Sequence, residues 1–146
     1  GIANGAEDIL LPERYDGNEQ ALIDRIIENR KRGKKHNIII NAEGIGHSGS
    51  MARRIEAATG IETRATILGH MQRGGSPCPY DRVLSTRLGS EAAQLILDKQ
   101  YGYMVGMVNG KVKKIPLGEC AGKLKTVDPN AQEVLQAKRM GISFGD

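Results

Sequence analysis

The chain has 146 residues, of which 39% are hydrophobic and 26% charged, and its formal net charge is +4. That length and composition suit one soluble globular domain, long enough to bury a core. Aromatic residues make up 3% and Trp is absent, which argues against base stacking as a binding mode.

In chain order, Ile9-Leu10-Leu11 is an apolar run stopped by Pro12 and reads as a strand end. Leu22, Ile23, Ile26 and Ile27 fall on one face of a helix over 18–31, and Gly33 ends it in the left-handed position after the last turn. Three consecutive Ile at 38–40 show no alternation. They predict a strand buried on both faces, as in a parallel sheet, running into Glu43 and Gly44. Ser50 is expected to cap a helix carrying Met51, Ile55 and Ala58, closed by Gly60. The β-branched segment 63–68 is expected to be a third strand. A long helix over 80–99 should carry Val83, Leu84, Leu88, Leu95 and Ile96 on one side. Asn109-Gly110 between two apolar runs is a hairpin signal, because a type I′ turn needs two positive φ angles. A last helix is expected over 130–140. The fold class expected is α/β: a three-layer αβα arrangement with a mostly parallel sheet and a late β-hairpin, formed as a single unit over 1–146.

The two cysteines, Cys78 and Cys120, lie far apart and outside any metal-ligand spacing, so neither a disulfide framework nor a zinc site is expected. They fit a reduced, cytosolic setting. No apolar run approaches the roughly 20 residues of a membrane span, and no signal peptide is visible. The chain opens at Gly-Ile-Ala-Asn-Gly without an initiator Met, as a piece of a longer protein would.

Two loops fall where open α/β sheets bind ligands, beyond the carboxyl ends of strands. Glu43 follows the Ile run. His70, Arg73, Gly69, Gly74 and Gly75 follow segment 63–68. Arg and His can donate to phosphate oxygens, Arg in a bidentate fork, and the glycines let backbone amides approach a ligand. A carboxylate can accept from sugar hydroxyls. Cations at one end and a carboxylate at the other suit a phosphorylated sugar, against the alternative of a surface turn with a structural His. The basic run Arg30-Lys31-Arg32-Gly33-Lys34-Lys35-His36 lies at the opposite, amino-terminal edge of the Ile strand. It favours a second anion, or is a solvated helix end. Binding of nucleic acid through this run would be weak and salt-sensitive, and no recognition motif accompanies it. Lys113 and Lys114 in the hairpin read as a solvated face.

The run Arg64-x4-Gly69-His70-x-Gln72-Arg73-Gly74-Gly75-x5-Asp81-Arg82 resembles the signature of 6-phosphofructokinases without a break. The likeness extends to Gly5-Ala6-Glu7, Arg32-Gly33-Lys34-Lys35-His36, Ala42-Glu43-Gly44 and Glu62-Thr63-Arg64, and covers essentially the whole chain. It is similar to the carboxy-terminal part of the bacterial, ATP-dependent type. The resemblance implies that Glu43, Arg64, His70, Met71, Gln72 and Arg73 contact fructose 6-phosphate, Arg64 reaching in from a neighbouring subunit of a homotetramer. It further implies that Gly5, Ala6, Glu7, Arg32, Lys34, Lys35 and His36 bind an effector, ADP or phosphoenolpyruvate, with Gly5 and Glu7 meeting the magnesium on a diphosphate. The family's Gly-rich nucleotide segment, its Thr-Ile-Asp-Asn-Asp run with the catalytic base and its Met-Gly-Arg motif have no match in these 146 residues. ATP as co-substrate would therefore not be held here, no catalytic residue is expected, and the isolated chain is expected to be inactive. A pyrophosphate-dependent enzyme and a non-catalytic sugar-phosphate or nucleotide-binding module remain the alternatives.

Overall fold

A computed structural model describes residues 1–145, and of Arg73 the backbone alone. By packing the chain groups into two compact units, Gly1–Ile67 with Thr126–Asp146, and Leu68–Lys125. Length alone had pointed to one.

The first unit is α/β. Strands β1 (Asp8–Leu10) and β2 (Ile39–Asn41) pair in parallel, with Asp8 opposite Ile39 and Leu10 opposite Asn41. On the other side of β1, Asp8 forms a single parallel bridge with Ser143. The crossover between the strands is helix α1 (Glu19–Lys31); helix α2 (Ser48–Thr59) follows β2, and α5 (Gln132–Arg139) comes near the end of the chain. Alternation along β1 sorts the core. Leu10 packs with Leu22, Ile23 and Ile26 of α1 and Met51 and Ile55 of α2, while Ile9 packs with Val134 and Ala137 of α5 and with Phe144. Helices on both faces of a parallel pair are the layering expected.

Local signals explain the helix ends. The Asn18 side chain accepts from Ala21 N at 3.2 Å and caps α1, and Gly33 takes φ 88° just beyond it. Gly60, at φ 66°, closes α2 as expected. The start of α2 differs: His47 is the cap residue, in the left-handed region, and Ser50 lies inside the first turn, where its hydroxyl donates to His47 O at 2.9 Å.

Two further expectations are corrected. Ile38 and Ile40 are exposed, because β2 has β1 on one side and no second strand beside it among the described residues; Ile39 alone turns into the α1–α2 core. Segment 63–68 is not a strand. No strand pairs with it among the described residues, and Ile67 is 76% exposed. A β-branched run fits a pleated surface only where another strand supplies one.

The second unit is built on α3 (Pro79–Leu97) and a hairpin of β3 (Tyr103–Val108) and β4 (Lys111–Pro116). The turn carries φ 48° at Asn109 and 72° at Gly110, as type I′ requires. On α3, Leu84, Leu88 and Leu95 turn inward to different degrees, but Val83 and Ile96 are exposed, so the expected apolar face is narrower than its sequence pattern. Lys114 reaches Gln100 Oε1 at 2.6 Å and lies over the Tyr103 ring. A four-residue helix, α4 (Leu117–Cys120), follows β4. No helix is long and apolar enough to cross a membrane among the described residues.

Candidate functional site

The residues expected to meet an effector all lie in the first unit, and the fold draws several of them together. Gly5, at φ 69°, ends a 3-10 turn over Ile2–Asn4 and sends the chain into β1; nothing stands within 4 Å of the Cβ position it lacks. Ala6 is buried against Ile9 and the α5 residues, so its side chain is core. Glu7 lies one residue before β1, alongside the start of β2: its N–H donates to Ile38 O at 3.0 Å.

The basic run arrives from the other direction. The left-handed turn at Gly33 redirects the chain after α1, and Lys34 N donates to Asn29 O at 3.0 Å. Asn29 Nδ2 also donates to Asn37 Oδ1 at 2.8 Å, which ties the helix end to the approach of β2. Lys34 Nζ then donates to Glu7 Oε1 at 2.6 Å, and Ile38 N donates to Glu7 Oε2 at the same distance. Burial alone would raise the Glu7 carboxyl, but the Ile38 N–H and the Lys34 ammonium outweigh it and hold it below the ordinary carboxylate range. Arg32 pairs with Glu28 one helical turn back, Nε to Oε1 at 3.1 Å, and Lys35 and His36 are exposed. Both Glu7 oxygens already accept hydrogen bonds, and among the described residues no cluster of three His, Cys, Asp or Glu gathers anywhere.

The residues expected to meet the sugar phosphate are divided. Glu43 and Arg64 belong to the first unit, and His70, Met71, Gln72 and Arg73 to the second. Glu43 is exposed on the turn just past the carboxyl end of β2, the position expected from the sequence. That turn is braced. Asn41 Nδ2 donates to Gly46 O and to Ser48 Oγ, each at 2.9 Å, and Ile45 N donates to Ala42 O at 3.0 Å. Gly44 is required there by a close approach, since a Cβ would come within 2.8 Å of Pro12 Cγ. Arg64 is exposed and donates from Nε to Glu62 Oε1 at 2.8 Å.

In the second unit, His70, Met71 and Gln72 are exposed on a 3-10 turn over Gly69–Arg73, with positive φ at Gly69 and Gly75. The Arg73 side chain lies outside the described residues. Downstream, Asp81 Oδ2 accepts from Cys78 N at 2.8 Å, and the backbone N–H of Cys78 lowers the Asp81 carboxyl. The signature Asp81 thus caps the first turn of α3.

Sequence reasoning missed Asn41 as the brace of the Glu43 turn and the pairing of Glu7 with Lys34. An Asn closing an Ile run was a signal for the first. Nothing along the chain announced the second, because 27 residues separate the partners.

Comparison with known proteins identifies the family. A family profile described as phosphofructokinase matches residues 1–96. The "ATP-dependent 6-phosphofructokinase 3" of Bacteroides thetaiotaomicron is 46% identical over an alignment covering 99% of this chain and 45% of that protein. Proteins named "ATP-dependent 6-phosphofructokinase" from Bacillus velezensis and Spirochaeta thermophila are 46% and 40% identical, over 92% and 100% of this chain and 42% and 46% of their own lengths. The chain thus spans somewhat under half the length of these curated relatives.

Proposed function

Since the chain belongs to the phosphofructokinase family, we propose that it is the fructose 6-phosphate-binding and effector-binding portion of a 6-phosphofructokinase. The reaction is phosphoryl transfer from ATP to fructose 6-phosphate, giving fructose 1,6-bisphosphate, a step of glycolysis in the cytoplasm. The observation that carries the reading is the family match over 1–96, which contains the unbroken run from Arg64 to Arg82.

In this reading His70 and Arg73 hold the 6-phosphate by charge-assisted hydrogen bonds, and Met71 and Gln72 shape the same loop. Glu43 accepts from a sugar hydroxyl. Arg64 exchanges its exposed pairing with Glu62 for the phosphate, reaching it across a subunit interface of a homotetramer; an exposed ion pair is weak enough to be traded. Lys34, Lys35, His36 and Arg32 meet the phosphate groups of ADP or phosphoenolpyruvate beside Gly5, Ala6 and Glu7. ATP with magnesium supplies the phosphoryl group. The donor named for the relatives favours ATP over pyrophosphate. Phosphoryl transfer depends on positioning and charge stabilisation around the nucleotide. The motifs that provide them are not found in this sequence, so this chain serves the reaction by binding.

Calorimetry with fructose 6-phosphate and with fructose tests the reading. Saturable heat is expected for the phosphorylated sugar alone, diminished in Arg64→Ala. Equal heats for both sugars, or none for either, would contradict it.

A further inference from the structure

Glu7 stands where a bound anion would stand. Its two oxygens take one ammonium, Lys34 Nζ, and one backbone donor, Ile38 N, at 2.6 Å each. An ammonium beside a backbone N–H is the donor pair that phosphate oxygens seek. The carboxylate is 12% exposed and the ammonium 48% exposed, so the anion sits inside and the cation faces solvent. Arg32, Lys35 and His36, neighbours of Lys34 in the sequence, are exposed.

We propose that Glu7 is a tethered internal anion that closes the basic site at Lys34 and Ile38 N–H, and that a phosphate-bearing ligand binds by displacing it. The proposal rests on the reading of Lys34 and its neighbours as an anion site and adds to it how that site is gated. A ligand that needs the open form has its apparent affinity reduced by the fraction of molecules that are open. The Lys34 side of the pair is half-exposed, so a phosphate can compete for its ammonium, and the competitor is never lost by dilution because the chain carries it.

A purely structural bracket would show the same two contacts, with Glu7 merely fastening the start of β2 to the residue before β1. The two roles differ in the direction of one effect. Glu7→Gln keeps the shape and an acceptor for Ile38 N but removes the charge. As a bracket it leaves phosphate binding unchanged or weakens it. As a latch its loss tightens binding.

The test follows the Lys34 and Ile38 amide resonances of the 146-residue chain during titration with inorganic phosphate and with pyrophosphate. Glu7→Gln is expected to lower the apparent dissociation constant roughly three- to tenfold, the scale of one weak ion pair. Lys34→Met is expected to abolish the response. If Lys34→Met abolishes it while Glu7→Gln leaves it unchanged or weaker, the latch is overturned and the anion site stands. If neither anion moves these resonances in the wild type or in Glu7→Gln, the anion site and the latch both fall. Should Glu7→Gln not fold, the wild type carries the test: the Glu7 carboxyl carbon must shift as phosphate saturates, and an unmoved carboxyl overturns the proposal.

Discussion

Asp8 is 1% exposed, and one of its oxygens accepts from Arg25 Nε at 2.8 Å. Burial pushes its carboxyl above the ordinary value; the Arg25 guanidinium pulls it back without cancelling the effect. A carboxylate so placed depends on its partner, because removing one member of a buried pair strands the other. Arg25→Met is expected to cost about 3 kcal/mol near neutral pH, read from urea unfolding. The sign of the pH dependence follows from the raised value. Below the unfolded-state value Asp8 is neutral in both states and its burial costs little. As pH rises through the higher folded value, the native state must ionise it, and stability is lost. The penalty of Arg25→Met should therefore shrink in acid. A penalty independent of pH would show that Asp8 does not titrate there. This residue was silent in the sequence. An Asp next to Ile9 gives no sign that it faces inward, whereas Glu7, one position earlier, was singled out by its motif although its partner was not.

At the scale of elements, what could be read locally was read. The hairpin is encoded in two adjacent residues, Asn109 and Gly110, whose positive φ angles few other pairs tolerate. Nothing lies within 4 Å of the missing Cβ at Gly110, so substitution there acts through the backbone alone. Gly110→Val is accordingly expected to cost roughly 1–2 kcal/mol, the left-handed penalty for a side chain bearing a Cβ. The denaturation midpoint measures it, and an unchanged midpoint would place the turn outside the unit's cooperative unfolding. Helix α1 was legible from its one-faced apolar spacing, the Asn18 cap and Gly33. The start of α2 was not, since a Ser within a first turn competes with the true cap, and His47 holds a left-handed position that residues other than Gly seldom take. Segment 63–68 failed for a different reason. Its composition records the surface it suits, and pairing is a property of the neighbouring strand.

At the scale of the molecule, the family was legible because its signature is contiguous. The run from Arg64 to Arg82 needs no folding to be recognised. Arrangement was less legible: the two compact units divide the expected sugar-phosphate residues, while the expected effector residues stay within one of them. The strand reading did locate Glu43, which lies just past the carboxyl end of β2. The central claim is that one chain carries two chemically distinct phosphate sites. The most direct measurement is a residue-resolved NMR titration of the 146-residue chain with fructose 6-phosphate and, separately, with ADP. The account predicts that the sugar phosphate moves the resonances of Glu43, Arg64 and His70 through Arg73, and that ADP moves those of Glu7, Lys34 and Ile38. Both ligands moving a single common set, or fructose 6-phosphate moving neither, would contradict it.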